Sequence, residues 1–103
     1  MVPDERRNLY LRAFYAWGAD AQVDMVVEEV GELLTAIGHA KRGRATSADV
    51  AGEIADVSIM LEQLALMLRV ENDVNKFIVQ KTARLAERLN AYDARQREKR
   101  GEG

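Results

Sequence analysis

Between Val23 and Leu68 apolar side chains recur at helical spacing in two successive stretches, and each stretch carries two carboxylates three residues apart at the edge of its apolar stripe. On the first, Val23, Val26, Val30, Leu33, Leu34 and Ile37 form a stripe roughly 100° wide at about 100° per residue. Glu29 and Glu32 flank it, in a sector shared with Gln22, Met25 and Ala36, and Glu28 points further out. On the second, the stripe is Val50, Ile54, Val57, Leu61, Leu64 and Leu68. Glu53 and Asp56 flank it on the same rotational side, with Asp49, Met60 and Met67 beside them. Residues three apart on a helix share a side, so each stretch aims two oxygen ligands one way.

Gathering four carboxylates against methionine and alanine is unfavourable unless something neutralises them, because each desolvated charge costs several kcal/mol, in rough terms. A divalent cation does this most simply. Oxygen-only ligands, with no cysteine in the chain and no histidine close by, favour a hard ion, Mg²⁺ or alternatively Mn²⁺, over zinc or a soft metal. The competing reading, that these acids only solubilise two exposed helix faces, does not explain why the spacing recurs at the edge of both stripes.

One proline, no cysteine and long periodic segments in 103 residues point to a single all-α domain over residues 1–96. A charged, Gly-containing tail, 97–103, is expected to be disordered. Four helices are expected: 4–16, closed by Trp17-Gly18; a second capped by Asp20 and running to Lys41; a third over 48–69 behind Thr46 and Asp49; and a fourth over 73–96. Short loops make neighbours antiparallel, giving a four-helix bundle-type protomer. The third helix is apolar around much of its circumference, with Ile59 and Leu66 off the main stripe, which predicts contact with another subunit in a dimer or tetramer.

No apolar run reaches the length of a membrane span and no signal-peptide core is present, so no membrane association and a cytoplasmic location are expected. Residues 1–80 carry 8 basic and 13 acidic side chains and residues 81–103 carry 7 and 4. An acidic chain with one basic helix speaks against general nucleic-acid affinity but leaves room for a phosphate site. Lys81, Arg84, Arg88 and Arg95 fall on one stripe of the fourth helix, either as a plain amphipathic surface or as cations for a polyphosphate whose remaining oxygens meet the metal.

Trp17 and Gln22 precede the acids. The indole either stacks on a base or anchors the N-terminal core, and the Gln22 amide is placed to read a base edge. His39, the only histidine, lies about 10 Å along the axis from Glu32 by the helical rise and is expected at the surface. There is no Gly-rich phosphate loop and no Ser-His-Asp set.

The string Trp17-Gly18, Gln22, Glu28-Glu29-Val30-Gly31-Glu32-Leu33, Arg42-Gly43-Arg44, Glu53-Ile54-Ala55-Asp56-Val57, then Lys81 and Arg84, resembles the MazG-like all-α nucleoside triphosphate pyrophosphohydrolases. Their mark is Glu-Glu-x-x-Glu followed on the next long helix by Glu-x-x-Asp, and the match spans roughly residues 15–90. The resemblance implies hydrolysis of a nucleoside triphosphate between the α and β phosphates, giving monophosphate and pyrophosphate by attack of metal-activated water on the α-phosphorus. It also implies Mg²⁺ on Glu29, Glu32, Glu53 and Asp56, Glu28 as an auxiliary acid, and dimers or tetramers whose neighbouring helices complete the site. Arg84 departs from the pattern, where relatives often carry asparagine in a Lys-x-x-Asn arrangement. Trp17, Gln22, Lys81, Arg84 and Arg88 are the candidate substrate contacts.

Two other classes compete. A ferritin-like di-iron bundle wants Glu-x-x-His pairs, and neither acid pair has the histidine. A non-catalytic metal- or nucleotide-binding interaction module would keep the acids without turnover.

Overall fold

The structure is a computed structural model and describes residues 2–102. It is all-helical: α1 spans Asp4–Lys41, α2 Ser47–Met67 and α3 Glu71–Lys99. The chain divides into two compact units, Met1–Glu71 and Asn72–Gly103. No helix among the described residues is long and apolar enough to cross a membrane.

The expected four helices are therefore corrected to three, and the four-helix bundle with them. The segments 4–16 and 20–41 run together as one 38-residue element, α1, made of two helical stretches that meet at a kink at Gly18, at φ 85° and ψ 165°, at the expected close of the first helix. A single residue bends the chain without making a loop, so Asp20 lies inside α1 and caps nothing. Gly18 takes this conformation because a residue without Cβ bears little steric cost at positive φ.

Thr46 opens α2 as expected. Its hydroxyl accepts from the Asp49 N–H at 3.1 Å while the Asp49 carboxylate accepts from the Thr46 N–H at 2.8 Å, a reciprocal cap that satisfies two orphan donors. Those bonds hold the Asp49 carboxyl below its ordinary range.

All three helices end the same way. After α1 the Arg44 N–H reaches the His39 carbonyl, after α2 the Val70 N–H reaches Ala65, and after α3 the Glu102 N–H reaches Arg97. Each closure has a residue at positive φ just past the helix: Gly43 at 74°, Arg69 at 58° and Gly101 at 74°. This is the six-to-one hydrogen bond of a left-handed C-cap. Arg69 performs it without glycine, and α2 stops at Met67, two residues before the expected end. The tail charges Arg97, Glu98 and Lys99 extend α3 three residues past position 96. The final residue of the expected tail, Gly103, lies outside the described residues.

Within the first unit α1 and α2 pack against each other. The pairing is antiparallel, since Arg6 meets Glu62 at 3.0 Å near the start of α1 and Glu29 meets Glu53 and Asp56 further along it. A second pair, Arg7 with Glu71 at 3.0 Å, ties the start of α1 to the residue that opens α3.

The buried face of this hairpin is not centred on the two apolar stripes. Its buried side chains are Tyr10, Gln22, Val57 and Met60, and Gln22 and Met60 come from the strips that carry the acids. On the stripes themselves Leu34 is 64% and Ile54 51% exposed. The helices meet along their acid-bearing edges, and much of the strongest apolar surface stays outside that contact. In the second unit none of the α3 side chains is buried, and Ile78, Leu85, Leu89 and Tyr92 lie exposed.

Candidate metal centre

Glu29 is held by α1 and Glu53 and Asp56 by α2, on the edges along which the two helices pack. One carboxylate oxygen from each lies within 4.8 Å of the others. Glu29 and Glu53 are half-buried, whereas Asp56 is exposed. The Oε2 atoms of both glutamates are sealed from solvent and have no hydrogen-bond partner among the described residues. Buried carboxylate oxygens are normally paired, so two orphans facing a third acid form a donor set that lacks its positive charge.

Desolvation pushes the Glu29 carboxyl above its ordinary range, followed by the charges of Glu32, Asp56 and Glu53. Desolvation raises Glu53 as well, again with Glu32 and Asp56 behind it. Glu32 is exposed and outside the close triad, yet its charge is the largest Coulomb contribution at both glutamates. Glu28 is exposed and takes no part in the triad. The donor chemistry fits a hard divalent cation, with three carboxylate oxygens converging and no nitrogen or sulfur ligand.

A cavity of about 660 Å³ lies on the same helix pair, lined by Trp17, Ala21, Gln22, Asp24, Met25, Met60 and Gln63 and by none of the triad. Met25 stands four residues before Glu29 and Met60 four after Asp56, so the cavity begins about 6 Å along the axes from the acids. Trp17 and Gln22 are thus brought into one pocket. The indole is largely exposed there, and the amide belongs to a side chain only 6% exposed. Lys81, Arg84 and Arg88 lie exposed on α3, in the second unit, where their spacing puts them on one face. His39 is exposed, as expected.

Asp24 and Gln63 were not legible as site residues. For Gln63 a signal existed: Asp56, Met60 and Gln63 run at i, i+4 and i+7 on α2 and answer Gln22, Met25 and Glu29 at i, i+3 and i+7 on α1. Asp24 gave none, being one more acid in an acidic helix.

Comparison of the chain with family models, with curated proteins and with solved structures finds no match.

Proposed function

We propose that the chain is a Mg²⁺-dependent nucleoside triphosphate pyrophosphohydrolase of the MazG-like all-α kind, converting a (d)NTP to (d)NMP and pyrophosphate, with Mn²⁺ as an alternative ion. The observation that carries this reading is the pair of buried, unpartnered carboxylate oxygens of Glu29 and Glu53 converging with Asp56. The pocket beside them, with an indole and a buried amide, supports a nucleotide as the occupant.

Glu29, Glu53 and Asp56 would hold the cation, with Glu32 next to them as a fourth acid. The cation, when bound, supplies a lowered pKa for an attacking water and positive charge against the phosphate oxygens. The water oxygen forms a bond to the α-phosphorus as the bond from that phosphorus to the bridging oxygen breaks, and pyrophosphate leaves. Glu28, the auxiliary acid outside the triad, would accept the water proton. Trp17 stacks on the base and Gln22 meets its edge. Assembly into a homodimer or homotetramer belongs to the same reading, since Leu34, Ile54 and Leu61 remain exposed.

Product analysis tests it. Stoichiometric pyrophosphate without orthophosphate is expected, and turnover that survives Glu53→Gln overturns the assignment. In calorimetric titration, Mg²⁺ binding without affinity for any nucleotide would instead identify a non-catalytic interaction module.

A further inference from the structure

The contact between α1 and α2 leaves a second apolar surface on one side of the hairpin. α1 meets its partner along the line of Gln22 and Glu29, and α2 along the line of Val57 and Met60. From those lines Val23, Val27 and Leu34 lie further round α1, and Ile54, Leu61 and Leu68 further round α2. The step is roughly 50° to 150° in the same rotational sense on both helices, at about 100° per residue. In an antiparallel pair the same sense means the same side of the pair, so the six side chains line one face. All six are exposed, from 41% at Val23 to 68% at Val27.

α3 carries the complement of that face. None of its side chains is buried, and Ile78, Leu85, Leu89 and Tyr92 form an exposed apolar arc edged by Lys81, Arg84 and Arg88. On α1 the apolar arc is edged by Asp20 and Asp24. All five charged side chains are exposed, and none forms an ion pair among the described residues. The opposition of charge is general: residues 1–71 carry 7 basic and 12 acidic side chains, and residues 72–103 carry 8 and 5. Asp20 to Asp24 and Arg84 to Arg88 are both steps of four residues, about 6 Å along the axis. Helical rotation also sets a direction. On α1 the acids follow the apolar arc, whereas on α3 the cations precede it. Helices that face each other in parallel bring the following edge of one to the preceding edge of the other, as in a parallel coiled coil. Antiparallel alignment would instead set the acids against Thr82 and Asp93.

We propose that α3 of a second copy of this chain lies along the apolar side of the α1–α2 hairpin, parallel to α1, with Arg84 and Arg88 against Asp20 and Asp24. Each chain owns one such face and one such helix and leaves both exposed. Two copies therefore exchange helices reciprocally, and the contact closes on itself as a two-fold dimer. Burial of the apolar arcs drives the association, and the charged edges fix which helix docks and in which direction. The basic stripe of α3 gains a protein partner rather than a phosphate. The inference names the surfaces of the assembly and does not depend on turnover.

Sedimentation equilibrium of the full chain at low salt tests it. A dimer or a multiple of it is expected, and a monomer at every concentration overturns the inference. One variant carries Asp20→Lys with Asp24→Lys and another Arg84→Glu with Arg88→Glu, each placing like charges along the edge. Each alone should weaken self-association by about tenfold or more, with the helicity of the parent retained in circular dichroism. Mixed in equal amounts, the two variants should recover the affinity of the parent, because their heterodimer joins one doubly reversed contact to one parental contact. The milder pairs Asp20→Asn with Asp24→Asn and Arg84→Gln with Arg88→Gln should weaken the dimer in the same direction by less. An assembly indifferent to the reversals, or one that mixing does not restore, overturns the inference. Neither result touches the product analysis above, so the pyrophosphohydrolase reading stands or falls separately.

Discussion

Glu29 on α1 and Glu53 on α2 face each other across the helix pair, each with its Oε2 buried and unpartnered, and Asp56 completes a triad within 4.8 Å. The hairpin packs along the edges that bear the acids, so its interface is strained electrostatically where it should be most comfortable.

The pH dependence of stability follows from the raised carboxyls of Glu29 and Glu53. A folded state that holds these protons more tightly than the unfolded chain gains stability below the ordinary glutamate range, and loses it as pH rises through the higher folded-state values. The metal-free protein should therefore melt at a lower temperature in neutral than in mildly acidic buffer. Mg²⁺ or Mn²⁺ should reverse the order by raising the neutral melting temperature, with protons released on binding. Differential scanning fluorimetry across pH, with and without metal, measures both signs.

Glu53→Gln removes one charge from the cluster while keeping its shape. Pyrophosphate release should fall by at least about 100-fold, the upper end of the loss seen when even a group supporting a metal ligand is removed. The same variant should be more stable than the parent at neutral pH without metal, and its melting temperature should no longer respond to Mg²⁺. A purely structural glutamate would give the opposite sign in the metal-free melt.

Gly18→Ala tests the bend in α1. A Cβ at this position would meet no atom within 4 Å, so the cost comes from the backbone at φ 85° alone. About 1–3 kcal/mol of stability should be lost in urea denaturation. Because Trp17 precedes the bend and Ala21, Gln22 and Met25 follow it, the emission of the folded variant should also shift as the indole moves against its pocket.

Arg69→Gly should stabilise the protein. Arg69 sits at φ 58°, a region that costs a residue with Cβ about 1–2 kcal/mol, and it makes no ion pair among the described residues. A gain of about 1 kcal/mol is expected from that relief, less the extra chain entropy that glycine brings to the unfolded state. Equilibrium denaturation reads it directly, and a loss of stability would mean that the guanidinium makes a contact outweighing the strain.

Local signals in the sequence carry the all-helical class and some of the helix ends, among them the exit of α1 at Lys41 and the cap of α2. Thr46 with Asp49 forms its cap among immediate neighbours, and Gly43 stops α1 because it needs only its own backbone freedom; the end of α3 at Lys99, ahead of Gly101, lies inside what the sequence suggests is a disordered tail. Arg69 does the same job with no glycine to announce it, so α2 ends at Met67, before its apolar pattern does. Gly18 marks a break in helical geometry, as its sequence position suggests, but the break is a kink of one residue and not a loop. The carboxylate pairs, too, were legible from spacing alone, since residues three apart on a helix must share a side. Their meeting was not. Whether α1 and α2 would pack stripe to stripe or edge to edge depends on the balance of contacts across the whole hairpin, a sum over residues far apart in the chain. Only the tertiary structure decided that Gln22 and Met60 would be buried while Leu34 and Ile54 were left exposed, and so that the acids would face one another.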